Sequence, residues 1–234
     1  METRRAKAVR RRLNRLWARG DDEGQLPVAS EYVRKEPGDV HGWALWGNTL
    51  FRLGRFSEAE AVLGEALELL RHADPDIGWL LAKALSHQGK TAEAKELLTE
   101  QKHISPSSRL PFLGLAEVAL QEGENEQAKS LLREALDRTP DDDPGAFYET
   151  ALILLAMPTG KEQAEGLLRK AVAGMPNHSL SHLLLGALLE HENPPVADAL
   201  IQKARRLWRA PTDFDVMLQH TRELVARSQG GDSD

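Results

Sequence analysis

Five alanines recur along this chain at nearly constant intervals. They are Ala59, Ala94, Ala128, Ala164 and Ala197, and the steps between them are 35, 34, 36 and 33 residues. A nearly fixed period of this length indicates one small structural unit repeated in tandem. Each copy contains two apolar runs at helical spacing, separated by a turn sequence such as Leu53-Gly54-Arg55. The sequence therefore predicts a series of helical hairpins.

The residues around the five alanines repeat as well. In the clearest copy, Trp43 and the small Gly47 precede the turn, and Ala59 and Ala66 follow it. This pattern resembles the tetratricopeptide repeat (TPR), which has a period of about 34 residues and a W…LG…Y…A…F…A…P signature. The resemblance covers residues 40–211, with Arg71 in place of the first closing proline. It implies an all-α fold, a right-handed α-solenoid of about five to six stacked hairpins with a C-terminal capping helix.

The repeat sets the expected boundaries along the chain. No hairpin buries its apolar face alone, so neighbouring copies are expected to stack and share a core. Asp74-Pro75 and Asp143-Pro144 are typical of a helix start, with an N-cap residue followed by proline in the first turn. We expect a basic helix and a degenerate hairpin over 1–39, hairpins over 40–74, 75–108, 109–142, 143–178 and 179–211, a capping helix over 212–228 and a disordered tail over 229–234.

The composition and motifs indicate no enzyme, cofactor or metal site. The chain has no cysteine, which excludes disulfides, thiol nucleophiles and cysteine-based zinc sites. It also lacks a glycine-rich phosphate loop and a nucleophile elbow. His178 and His182 are four residues apart, but His182 falls at a core position of the repeat. The longest apolar runs are too short to cross a bilayer and no secretory signal is evident, so we expect a cytoplasmic protein.

The resemblance places a partner-binding groove along the first helices of successive hairpins. The candidate lining residues are aromatic and polar in the N-terminal half, whereas in the C-terminal half they are aliphatic with isolated acids. They are Asn48, Phe51, Arg52, Trp79, Lys83, His87, Leu113, Glu117, Glu149, Ile153 and Leu183. Such a lining suits a peptide or an amphipathic helix of a partner protein, with Trp79 as the anchor. The alternative is that these side chains pack on neighbouring helices, or that the C-terminal helix fills the groove.

The N-terminal segment has the opposite charge to the rest of the chain. Residues 1–20 hold eight Lys/Arg against one acid, whereas the remainder holds 22 bases and 35 acids. The basic helix residues are Arg4, Arg5, Lys7, Arg10, Arg11, Arg12 and Arg15. They lie opposite the apolar stripe of the helix, which is typical of a solvated face on a docked helix. Two other hypotheses stay open: self-association on the acidic body of a neighbouring copy, and binding of nucleic acid or an anionic membrane. No small-molecule substrate is expected.

Overall fold

The computed structural model describes residues 4–18, 22–70, 74–157, 159–208 and 213–229. This part of the chain contains thirteen α-helices and no β-strand. The helices are α1 (Arg4–Ala18), α2 (Asp22–Lys35), α3 (Val40–Arg52), α4 (Phe56–Leu69), α5 (Pro75–His87), α6 (Thr91–Ile104), α7 (Leu110–Gln121), α8 (Asn125–Leu136), α9 (Pro144–Leu155), α10 (Lys161–Gly174), α11 (Ser179–Leu189), α12 (Pro194–Leu207) and α13 (Phe214–Gln229). The all-α fold class predicted from the repeat is confirmed.

The helix ends follow from local side chains. Asp74 and Asp143 are N-caps, and their carboxylates accept hydrogen bonds from the backbone N–H groups of Ile77 and Ala146, each at 3.0 Å. Each of these bonds satisfies one of the free N–H groups in the first turn of a helix. Gly54, Gly89 and Gly123 occupy the turns after α3, α5 and α7, with φ angles of 71°, 77° and 78°. Glycine reaches this left-handed region without the steric cost of a Cβ atom, so these three turn glycines have a backbone role.

Small residues let the two helices of a hairpin approach closely. A Cβ atom at Gly47 would lie 2.3 Å from the Leu63 side chain on the partner helix. Ala59 is fully buried at the same kind of contact. In the last hairpin, a Cβ atom at Gly186 would lie 2.8 Å from Ile201. The recurring glycines and alanines therefore set how close the helices pack.

The chain divides into two compact units, Met1–Glu122 with Gln127–Ala135, and Gly123–Glu126 with Leu136–Asp234. In unit 1 each helix from α1 to α7 packs on the next one along the chain, and α5 also packs on α3 and α7. The first hairpin, α1 and α2, is joined to the repeats by Leu13, which is buried with Val28 and Ala29 beside Leu45 and Trp46. A buried hydrogen bond of 2.9 Å from the Thr49 hydroxyl to the Gln25 side-chain oxygen adds to this contact.

Unit 2 consists of the hairpins α9–α10 and α11–α12 and the final helix α13. α13 packs on α11 and also contacts α9 and α10. Its Phe214 and Leu218 form a buried cluster with Leu183, Ile201 and Ala204. The buried side chains of α13 recur at helical spacing, at Phe214, Leu218, Thr221, Val225 and Ser228. The amphipathic final helix expected from the sequence is therefore an integral part of this unit.

Some expectations fall outside the described residues. These are the tail residues 230–234 and the side chains of Arg4, Arg5 and Arg10.

Candidate protein-binding face

A row of interacting aromatic and charged side chains crosses the first helices of unit 1. Lys83 of α5 lies between two rings, its Nζ atom 4.6 Å from the Trp79 centroid and 5.7 Å from the Phe51 centroid. The same Nζ is 3.5 Å from the Glu117 carboxylate on α7. All four side chains are partly exposed. We call the surface of α3, α5 and α7 that carries this row the first-helix face of unit 1.

One end of the row is a cluster of three rings. The Phe51 centroid lies 5.3 Å from that of Phe56 and 4.9 Å from that of His87, and the Phe56 and His87 rings stack at 4.7 Å. Partial burial lowers the pKa of His87, and the charge of Lys83 lowers it further. His87 therefore favours the neutral form on this face. Phe56 was not among the candidate residues because it belongs to α4, a second helix.

The other two candidates in unit 1 also lie on α3. Asn48 is partly exposed, and it precedes Ala59 by the same eleven residues that separate Lys83 from Ala94 and Glu117 from Ala128. Arg52 is exposed and forms an ion pair of 2.7 Å with Asp22 of α2. The charge of Arg52 is therefore balanced within unit 1.

The inner side of the Trp79 ring packs against Gly114 of α7, in the next hairpin. A Cβ atom at Gly114 would lie 3.1 Å from the ring and 2.6 Å from Leu98, so glycine there leaves room for both side chains. The Trp79 Nε1 atom is buried without a hydrogen-bond acceptor among the described residues. Only part of the ring is exposed, so Trp79 forms part of the floor of the face.

Three of the predicted groove residues are not accessible. Leu113 is 0% exposed, Ile153 7% and Leu183 1%. These side chains pack inside the two units because burial of aliphatic side chains lowers the free energy of the folded state. Leu183 is covered by Phe214 and Leu218 of α13, as the alternative of a filled groove predicted. These three side chains are therefore interior residues and not part of an accessible face.

In unit 2 the corresponding first helices, α9 and α11, are in contact with α13. Glu190 at the end of α11 accepts hydrogen bonds from the Arg222 guanidinium of α13, the shortest at 2.6 Å. This hydrogen bond is the main cause of a raised pKa of Arg222. Glu149 of α9 is partly buried. The repeat period gave no sign of Arg222 as a partner, since α13 lies beyond the last copy.

The basic helix α1 is docked, with its described cations facing outward. Leu13 is 1% exposed, whereas Lys7, Arg11, Arg12 and Arg15 are exposed. A cavity of about 200 Å³ lies between α1 and α2, lined by Val9, Arg12, Val28, Glu31, Tyr32, Lys35 and Glu36. This arrangement agrees with the docked basic helix that the sequence predicted.

Of the histidine pair, His182 of α11 lies in the interior of unit 2, and His178, the N-cap residue of α11, is half-buried. His182 is fully buried and its Nδ1 atom lies 2.9 Å from the His178 carbonyl oxygen. The His178 ring lies edge-on to Tyr148, with centroids 4.9 Å apart. Burial raises the pKa of Tyr148 to about 12, and the charge of Glu149 adds to the shift. In the described ranges, no group of three or more His, Asp and Glu residues is arranged to hold a metal ion.

Comparison with known proteins identifies the repeats. The tetratricopeptide repeat family model matches residues 50–110 and 88–147. A curated relative, the cytochrome c-type biogenesis protein CycH of Rhizobium meliloti, is 29% identical over 133 residues, which are 56% of this chain and 35% of that protein. This chain thus spans about a third of the length of that relative. None of the described helices is long and apolar enough to cross a membrane, and a cytoplasmic location stays a prediction.

Solved structures share the fold at low sequence identity. A thermophilic TPR protein of Thermus thermophilus superposes with a TM-score of 0.60 at 17% identity, over 85% of this chain and 98% of that chain. The human IFIT1 dimer with m7Gppp-AAAA gives a TM-score of 0.65 at 20% identity, over 91% of this chain and 51% of that chain. Likeness at this identity establishes the fold alone. Residues 50–147 therefore match the tetratricopeptide repeat model that the resemblance predicted, and the solved structures share the fold over most of the chain.

Proposed function

We propose that this chain is a non-enzymatic scaffold that binds an amphipathic helix of a partner protein on the first-helix face of unit 1. TPR folds generally serve as protein-interaction scaffolds, and this proposal assigns that role to one surface. Apolar side chains of the partner pack on Phe51 and Trp79, and Lys83 sets the register of the helix. The partly exposed row of Phe51, Lys83, Trp79 and Glu117 is the observation that carries the proposal.

The chemistry of the row suits protein binding. Large aromatic side chains bury much apolar area with few rotatable bonds, so they contribute strongly to interface energies. The Lys83 ammonium group is already oriented by two rings and a carboxylate, which lowers the entropy lost when a partner orders it. A charge beside an apolar patch favours one orientation of the bound segment over the others.

The choice of a helical ligand rests on unit 2. There the first helices α9 and α11 are in contact with α13, a helix with one buried face and one exposed face. The repeat thus accommodates an amphipathic helix against first helices within this chain. A groove that receives such a helix is a common mode of peptide recognition. The name of the relative, a cytochrome c-type biogenesis protein, is consistent with a role in assembling other proteins.

A charge reversal with a matched control tests this function. Lys83→Glu replaces the cation between Phe51 and Trp79. Lys102→Glu is the control, because Lys102 lies on α6, a second helix, in a similar setting. Its Nζ atom is 4.6 Å from the Phe112 centroid and 3.9 Å from the Glu134 carboxylate of α8. Proteins captured from the source cells are compared by mass spectrometry for the wild type and both variants.

The expected result is a set of partners retained by Lys102→Glu and lost by Lys83→Glu, with equal helical circular dichroism in both. Each retained partner is then divided into peptides, and a helical segment is expected to carry the binding. The proposal fails if the two variants capture the same proteins as the wild type, or if both lose the same ones.

A further inference from the structure

The exposed face of α1 is a stripe of like charges. Lys7, Arg11 and Arg15 are spaced four residues apart, so they lie one above another on the helix, and Arg12 stands beside them. None of the four forms an ion pair within the described residues. Like charges at this spacing destabilise an isolated helix. An opposite charge brought to this face would therefore be stabilising.

A second unpaired stripe, of the opposite sign, lies on α4 and α6 in the same unit. It consists of five exposed glutamates, Glu65 and Glu68 on α4 and Glu93, Glu96 and Glu100 on α6. None of these carboxylates forms an ion pair within the part of the chain that the structure describes. Lys90, at the start of α6, reaches the Glu60 carboxylate of α4 at 2.7 Å and ties the two helices together. We call these five residues the acidic face.

Apolar groups accompany both charged faces. Leu69 and Ile104 end α4 and α6 at equivalent places, 35 residues apart, and are 55% and 42% exposed. Beside the basic stripe lies the cavity between α1 and α2, where Val9, Val28 and Tyr32 contribute apolar walls. Its charged lining is mixed: Arg12, Lys35, Glu31 and Glu36, with Lys35 paired to Glu31. Exposed ion pairs alone are weak. An apolar side chain entering a cavity would add the burial that such a contact needs.

We propose that the chain self-associates, with α1 of one copy docked on the acidic face of a second copy. The cations of α1 meet the glutamates, and Leu69 or Ile104 of the second copy enters the cavity beside Arg12. The net charge of −6 disfavours a long polyanion as the partner of α1. Leu13, part of the apolar side of α1, is buried inside the unit, so this side is not free to enter a lipid surface. The contact joins two different patches, which makes it heterologous.

Sedimentation of the full chain at low and high salt gives the first test. Ion pairs between exposed groups are screened within a distance of about 10 Å at about 0.1 M salt and about 3 Å at about 1 M. We expect associated species at low salt and loss of those species at high salt. A chain that stays monomeric at low salt overturns the proposal, and binding of its α1 to anionic vesicles or oligonucleotides would then assign the basic face to those ligands.

Complementary charge reversals give the decisive test. One variant carries Arg11→Glu, Arg12→Glu and Arg15→Glu, and the other carries Glu65→Lys, Glu96→Lys and Glu100→Lys. Each alone is expected to lose association, because its two faces then have the same sign. Mixed together they are expected to associate again, since each basic face finds an acidic one. Circular dichroism of each variant checks that both are folded.

A control variant distinguishes loss of this contact from a general effect of the change in net charge. Arg169→Glu, Lys170→Glu and Arg227→Glu change exposed cations of unit 2 by the same total charge and are expected to leave association unchanged. The proposal is overturned if folded variants do not associate in the mixture. It is equally overturned if the control abolishes association as strongly as the α1 reversal does.

Discussion

The first helices of the two units carry the same repeat but differ in what lies on them. In unit 1, Phe51, Trp79 and Lys83 are partly exposed on α3 and α5. In unit 2, α11 is covered by α13, which buries Leu183. The exposed face is rich in aromatic and charged groups, whereas the covered one is aliphatic. A surface of aliphatic side chains favours permanent burial, whereas a surface with aromatic and charged side chains is compatible with contact with water.

Equivalent positions in successive repeats show the same difference. Eleven residues before the repeat alanine stand Asn48, Lys83 and Glu117 in the first three hairpins and Ile153 in the fourth. The first three are partly exposed, whereas Ile153 is buried. A change from polar to aliphatic at one repeat position therefore accompanies the change from an accessible to a covered face.

Removal of α13 is expected to have the largest effect on the difference between the two units, because it uncovers the first helices of unit 2. A chain that ends at residue 212 loses the burial of Phe214, Leu218 and Val225, each worth about 1.5–3 kcal/mol. It exposes Leu183 and should bind a synthetic peptide of residues 213–229 added in solution. Fluorescence titration with a labelled peptide measures this binding.

The full-length chain is the control for the peptide titration, because its own α13 already occupies unit 2. We expect saturable binding to the shortened chain and none to the full-length chain. Equal binding to both would contradict the idea that α13 and the peptide compete for one site. The helical signal of the shortened chain, measured by circular dichroism, checks that the remaining hairpins are folded.

A single side chain of α13 should carry much of its docking energy. Phe214→Ala is expected to lower the free energy of unfolding of unit 2 by about 3–5 kcal/mol, because it leaves a cavity against Leu183 and Ile201. Val216→Ala, on the exposed side of the same helix, should change it by about 0.5 kcal/mol or less. Urea unfolding measures both values, and similar losses in the two variants would argue against a docked α13.

The ion pair between α11 and α13 should contribute less. Glu190→Gln removes the carboxylate that accepts hydrogen bonds from Arg222, at an expected cost of about 1 kcal/mol or less, since both groups are partly exposed. Hydrogen exchange should then quicken in α13. Glu165→Gln breaks a pair with Arg169 inside α10 and serves as the control, for which α13 should exchange at the wild-type rate.

The smallest expected effect concerns His87, whose repeat-equivalent in the fifth hairpin is Glu190. The folded state lowers the pKa of His87 from 6.5, so it binds a proton less readily than the unfolded chain. The contribution of His87 to the free energy of unfolding therefore decreases as the pH drops below about 6.5. His87→Gln should reduce that fall when urea midpoints at about pH 7.5 and about pH 5.5 are compared. A fall in His87→Gln as large as in the wild type would contradict the assignment.

Much of the fold was predictable because short-range sequence patterns specify each repeat. The spacing from Ala59 to Ala197 predicted the hairpins, Gly54 and Gly89 marked turns that need a positive φ, and Asp74 marked a helix start. The register also brought Lys83 and Glu117, 34 residues apart, onto neighbouring first helices. Local sequence determines such features, so they are readable without tertiary information.

The candidate site was less predictable because accessibility depends on distant parts of the chain. Leu183 is buried by a helix that begins 31 residues later, and the repeat period contains no information about where that helix docks. Leu113 belongs to a first helix in which nearly every side chain is buried, so helical position alone did not identify its exposed side. Phe56 also belongs to the Phe51 cluster, but it lies on a second helix, and the repeat predicted a groove lined by first helices only.

Site-specific photo-crosslinking tests most directly whether the first-helix face is open in unit 1 and self-occupied in unit 2. A photoreactive residue at position 48 lies beside Lys83 in the repeat register, and one at position 180 lies against the cluster that contains Phe214. We expect position 48 to crosslink to a segment of another protein, and position 180 to crosslink to residues 213–229 of its own chain. Intermolecular products from position 180, or only intramolecular products from position 48, would contradict an open face in unit 1 and a covered one in unit 2.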